Sequence, residues 1–186
     1  RLNLTVFYTR LVDAQVPTLI LPDAITIIQN RGKLNSKGIE LEFTAQANAH
    51  LSIDYNAGMT NAKFETLEIA QNGNANILNG NKQIFTPDIV SNLALQYDQK
   101  FNKNLSGFLR TEWKYIGTTY FDLANSIQQN PFNIINASLG VQMGDIQIKY
   151  WTRNLTNQKY ISYAYDFGAV HLGDPATSGL SIAIKF

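Results

Sequence analysis

The 186-residue sequence contains no cysteine, which excludes a disulfide framework and thiolate chemistry. Charged residues are scarce, at 16% of the chain, and the formal net charge is only +1. That balance excludes the strong basic field expected of a duplex-binding protein, so no nucleic-acid partner is expected. No stretch approaches about 18 consecutive apolar residues, so no transmembrane helix is encoded. There is no G-x-G-x-x-G after a strand, no P-loop and no H-E-x-x-H. An initiator methionine and a signal peptide are also missing, and Arg1 opens directly into a strand pattern. The expectation is a fragment of a longer exported chain.

What is present is alternation. In the last eight residues Leu180, Ile182, Ile184 and Phe186 fall on one face and Gly179, Ser181, Ala183 and Lys185 on the other. Strict period two marks a strand whose faces meet different surroundings. A bare apolar edge invites pairing with another chain, and closure into a barrel removes it. The mean hydropathy of −0.15 suits this reading, because transmembrane strands alternate and average out.

The same period recurs upstream. Leu2, Leu4, Val6 and Tyr8 form one stripe, and Pro17 and Pro22 bracket an expected loop. Alternation begins again near Ile25 and resumes from Gly38, through Ile39, Leu41, Phe43 and Ala45. Gly32 and Gly38 could mark bulges in one long strand or a hairpin between two. Further strands carry Leu51 to Met59, Leu93 to Tyr97, Leu105 to Tyr115, Ile135 to Met143 and Ile146 to Tyr150. The connections alternate. Those around Asn48 to His50, Asp98 to Asn104 and Gly144-Asp145 are short; those at about 63–87, 118–131 and 160–178 are long. The fold class read from this is all-β: an antiparallel up-and-down meander of about eight strands, with tight turns at one end and long loops at the other. That is the layout of a transmembrane β-barrel segment.

Face chemistry sets the orientation. One stripe is almost purely Leu, Ile, Val, Ala, Met and aromatic; the other carries Glu40, Glu42, Asp54, Arg110, Glu112, Lys114, Lys149, Arg153 and Lys185. A membrane barrel turns the apolar stripe to lipid and keeps the charges in a wet lumen. Trp113 and Tyr115 near the loop end, with Tyr97 and Phe186 near the turn end, sit where aromatic girdles belong. Outer-membrane lipid is therefore the expected partner of the apolar face.

Candidate chemistry is thin. His50 and His171 fall on opposite ends, so no metal site is expected. The Glu40/Glu42 pair reads as solvated lumen carboxylates rather than a glycosidase pair, and Asp122, Asp166 and Asp174 as loop charges rather than a calcium loop. No catalytic residue, cofactor or enzyme activity is expected. The loop aromatics Tyr120, Phe121, Tyr163, Tyr165 and Phe167 are the candidate ligand-stacking residues, with packing among the loops as the competing reading.

Several motifs, in order, carry a family resemblance. Asn30-x-Gly32-Lys33-x-x-Ser36-x-Gly38-Ile39-Glu40-Leu41-Glu42 resembles a segment that recurs late in TonB-dependent outer-membrane receptors. Gly117-x-x-Tyr120-Phe121-Asp122, then Asn136-Ala137-x-Leu139-Gly140, is similar to the next stretch. Trp151-x-x-Asn154-Leu155-Thr156-Asn157-x-x-Tyr160 resembles the family's penultimate strand, and Gly173-x-Pro175, Gly179 and Phe186 its end. Ala176-Thr177-Ser178 departs from it, since the family more often has an arginine there.

The resemblance implies that residues 1–186 are the carboxy-terminal portion of the barrel, without the plug domain and earlier strands of a barrel of about 22. It implies one long strand from about Ile25, a bacterial outer-membrane location and import of a scarce nutrient such as a siderophore, cobalamin or glycan. Energy would come from an inner-membrane coupling protein that engages the absent plug. Ile182, Ile184 and Phe186 would be the signal read by the barrel-assembly machinery. The rival reading is a self-contained eight-stranded barrel that anchors or adheres and transports nothing.

Overall fold

The computed structural model describes residues 1–20, 25–71, 74–165 and 168–185. Eight long strands form one antiparallel sheet in chain order. They are β1 (Leu2–Val12), β2 (Lys33–Gln46), β3 (Leu51–Thr66), β4 (Ile89–Lys100), β5 (Leu105–Ile116), β6 (Phe132–Met143), β7 (Ile146–Arg153) and β8 (Thr177–Ile184). No helix occurs among the described residues. Tight connections join β2 to β3, β4 to β5 and β6 to β7, and long ones join the other pairs.

The register aligns the stripes across strands. Leu4 faces Leu41 and Leu41 faces Ala57. Further along, Tyr97 faces Leu109, Leu109 faces Leu139, Leu139 faces Tyr150 and Tyr150 faces Leu180. Leu109 and Leu139 lie on interior strands, yet each is 54% exposed, whereas Ala94 on the opposite face is 1% exposed. The apolar side is thus the open one and the polar side the enclosed one, the reverse of a soluble barrel.

Three inward-facing aromatic rings lie over a glycine of the neighbouring strand. Phe7 covers Gly38, Phe108 covers Gly140 and Trp151 covers Gly179, and each pair is also a register pair. A ring laid over a glycine restores the packing that the missing side chain would leave open. Gly38 is therefore not a bulge; it sits within continuous β2.

The Pro17–Pro22 loop is corrected in part. Gln15–Ile20 is a strand paired with Ile25–Asn30, with Pro17 opposite Ile28; Pro22 lies outside the described residues. A two-stranded ladder leaves one edge of each strand unpaired, which accommodates a residue without an N–H. Ile25–Asn30 then continues into β2 past Gly32 in the left-handed region (φ 79°) and a register shift at Lys33/Leu34. Ile25 to Gln46 is thus one bent arm of a single hairpin. Likewise β3 runs on to Thr66, and Glu68–Gln71 pairs with Asn74–Ile77 inside the expected loop. The strand β4 extends through Asp98 to Lys100.

Among the described residues the first and last strands are not bonded to each other: β1 pairs only with β2, and β8 only with β7. The sheet stands open, unlike the self-contained barrel of the rival reading. Its dry core sits at the loop end, where Ala14, Val16, Leu34, Phe64, Leu67 and Leu78 are buried together.

Candidate functional site at the loop mouth

The long loops are built structures. Asn81 donates from Nδ2 to the Leu123 carbonyl at 2.8 Å, and the Lys82 N–H donates to Asn125 Oδ1 at 2.6 Å. Asn125 returns a bond from Nδ2 to the Lys82 carbonyl at 3.0 Å, and the Phe85 N–H donates to the Tyr120 carbonyl at 2.9 Å. These bonds satisfy loop backbone groups that would otherwise be left without partners, and they fix loop 67–88 against loop 117–131. Asp122 accepts from Ser126 Oγ and the Ile127 N–H, both at 2.7 Å, which gives it a turn-forming role.

The loop after β7 is tied at its root by Asn154, which is 3% exposed. Its Nδ2 donates to the carbonyls of Gln158 and Asp174, each at 2.9 Å, and its Oδ1 accepts the Gln158 N–H at 2.8 Å. Asn157 Oδ1 accepts the Ala176 N–H at 3.0 Å. Both asparagines adopt positive φ, which Asn tolerates better than most residues. The Asn154-Leu155-Thr156-Asn157 run is therefore a knot joining the start of the loop to its end.

These ties bring the loop aromatics together. Phe85 stacks on Tyr163 with centroids 5.1 Å apart and tilts against Phe121 at 5.9 Å. Tyr163 meets Tyr165 edge-on at 4.7 Å, and Tyr165 approaches His171 at 6.3 Å. Four of the expected residues are accounted for: Phe121 is buried, Tyr120 and Tyr165 are half-buried, and Tyr163 is exposed. Phe167 lies outside the described residues. Tyr120 stands apart from the row, with Lys82 Nζ 5.9 Å from its ring centre. Phe85 is missing from the sequence reading. It lies in a polar stretch with no periodicity, and only its loop-to-loop contact reveals it.

Below the mouth the enclosed face is a polar wall. Arg110 Nε donates to Glu112 at 3.0 Å and Arg110 Nη1 to Gln96 Oε1 at 3.4 Å, while Gln96 Nε2 donates to Asp98. Arg110, Glu112, Lys149, Trp151 and Arg153 line a hollow of about 410 Å³. His50 lies at the turn end, with Nδ1 2.8 Å from the Asp98 carbonyl oxygen, and His171 lies in the loops. Glu42 accepts from Asn3 at 3.0 Å. Ile182 and Ile184 lie on the apolar face opposite Ile148 and Ile146, and Phe186 lies outside the described residues.

An open, alternating sheet with an apolar outer face, a charged inner face and loops gathered at one end defines a section of membrane β-barrel wall. Residues 1–157 match the family model described as TonB dependent receptor-like, beta-barrel, and the chain belongs to that family. It is 26% identical over 164 residues to a ferrioxamine receptor of Yersinia enterocolitica, covering 83% of this chain and 21% of that protein. It is 25% identical to a pesticin receptor of the same species over its whole length and 27% of the relative's. The chain thus spans about a quarter of the length of these relatives. Among solved structures, the ferric yersiniabactin uptake receptor FyuA from Yersinia pestis superposes with a TM-score of 0.82 at 23% identity, over all of this chain and 27% of that one. The siderophore receptor PiuA from Acinetobacter baumannii gives 0.79 at 19% identity, over all of this chain and 26% of that one.

Proposed function

We propose that residues 1–186 are the carboxy-terminal part of the barrel of an outer-membrane receptor that imports a ferric chelate. Iron-chelate names among the similar proteins support that substrate class. The observation that carries the reading is the joined loop mouth, with exposed Tyr163 stacked on Phe85, set above a charged inner wall. Planar rings suit the apolar flanks of a chelate, and Tyr120, Tyr163, Tyr165 and Phe167 are the residues proposed to contact it; buried Phe121 supports the row from behind. The full receptor would take its energy from an inner-membrane coupling protein through a plug domain, and no chemical reaction is assigned to it. Ile182, Ile184 and Phe186 are proposed as the strand read by the barrel-assembly machinery.

The test is uptake of radiolabelled iron by iron-starved cells that express the full-length receptor as their sole ferric-chelate importer. The probes are a panel of ferric hydroxamates and catecholates. Accumulation that requires both the receptor and the coupling protein supports the reading. Equal accumulation without the receptor, across the panel, counts against it.

A further inference from the structure

On the outer face, the first three strands change character toward the loop end. The register sets Arg10, Asn35 and Lys63 in one row, with Lys82 bridged to Lys63. Tyr8, Lys37 and Asn61 form the row beneath, and Val6, Ile39 and Met59 the next. Successive same-face rows lie about 7 Å apart. Val6, Ile39 and Met59 line the apolar part of a shallow groove of about 590 Å³, and Lys37, Lys63 and Lys82, with the carboxylate of Asp88 beside Lys82, line its polar part.

The positive charge here is cancelled only in part. Glu65 holds Arg10 at 2.9 Å, and Asp88 contacts Lys82 at 3.5 Å. Lys37 and Lys63 are exposed and carry no ion pair among the described residues. Elsewhere in the sheet, Arg110, Lys114, Lys149 and Arg153 all alternate to the enclosed side, in phase with Glu112. At the turn end the outer face shows Phe43, Tyr97, Met143 and Ile146 instead. Unpaired Lys37 one row above a lipid-facing apolar band, and Lys63 two rows above it, match an amphiphile whose phosphate lies next to its acyl chains.

We propose that this groove binds the phosphorylated headgroup of an outer-leaflet lipid, with phosphate on Lys37 and Lys63 and acyl chains along Val6, Ile39 and Met59. The inference rests on the reading that the loop end faces the cell exterior. Continuity with the apolar band selects a lipid over a soluble anion, which would have no use for the lower half of the groove.

The experiment uses delipidated full-length receptor in non-ionic detergent. The probes are bis-phosphorylated lipid A, the same lipid without phosphates, and inorganic phosphate; occupancy is read by native mass spectrometry and by the shift in thermal midpoint. The phosphorylated lipid should bind wild type, the Lys37→Arg/Lys63→Arg pair and the loop control Lys159→Gln alike. It should bind the Lys37→Gln/Lys63→Gln pair roughly tenfold or more weakly, since each lysine contributes about one factor of several in affinity for an anionic lipid. Equal binding of the two lipids to wild type would overturn the proposal, as would unchanged affinity in the glutamine pair. Full displacement of the lipid by equimolar inorganic phosphate would also overturn it. Surface labelling in the Asn79-Gly80 turn tests the orientation separately. If the label reaches that turn on intact cells and binding is still equal, the lipid site alone fails. If it does not, the outward reading beneath it fails.

Discussion

The indole of Trp151 lies over Gly179 on the adjacent strand, and its Nε1 donates to Ser181 Oγ two residues further on at 3.2 Å. A Cβ at position 179 would come 2.5 Å from Cζ2 of the ring, well inside van der Waals contact. Gly179→Val should therefore lower the unfolding free energy of the full-length receptor by about 1–3 kcal/mol, measured by urea titration in lipid. Combined with Trp151→Ala the loss should be smaller than the sum of the two single losses, because the steric conflict is gone. Strict additivity would mean that the ring and the glycine do not share one packing site.

Asn154→Ala removes three side-chain bonds from a residue 3% exposed. Buried partners left unsatisfied cost roughly 1–3 kcal/mol, and the cost should fall on the loop it ties. Limited proteolysis should cut within 159–173 several times faster than in wild type, while the strands stay folded. An unchanged cleavage rate would show that the loop is held elsewhere.

Topology follows from the connections. An epitope inserted in the exposed Asn79-Gly80 turn of the full-length receptor should be labelled on intact cells. One inserted at Gly144-Asp145 should be labelled only after permeabilisation. The opposite pattern would invert the barrel.

The exposed and the buried members of the aromatic row should behave differently. Tyr163→Ala removes an exposed ring and should weaken binding of whichever ferric chelate supports uptake by roughly tenfold, with stability nearly unchanged. Phe121→Ala empties a site only 7% exposed and should instead cost about 3–5 kcal/mol of stability. Matching losses of affinity and stability in both variants would make the row packing alone.

The strands were legible because their two faces meet different media: Leu139 and Ser138 could not exchange places without cost, so period two persists along β6. The bent first hairpin was not, because Leu19 and Ile20 run into Pro22 and the kink at Gly32 is a backbone event. The loop ladders hid in Asn-rich stretches, where pairing follows from backbone bonds and leaves no hydrophobic pattern. Trp151 was assigned to a motif without a face; the register sets it inward, among charges. Lys37 and Lys63 continue the outward phase of Ile39 and Met59, but the groove they share exists only once β2 and β3 are paired.

The inside-out assignment of the faces is the central claim, and Leu139 and Ser138 test it most directly. Each would be replaced in turn by a single spin-labelled cysteine in the full-length receptor reconstituted in lipid bilayers. Collision with oxygen, which concentrates in lipid, would be compared with collision with a water-soluble nickel chelate. The label at position 139 should favour oxygen strongly, and the label at 138 should show a much lower ratio of oxygen to chelate access. A label at 138 that favours oxygen more than the one at 139 would contradict the account.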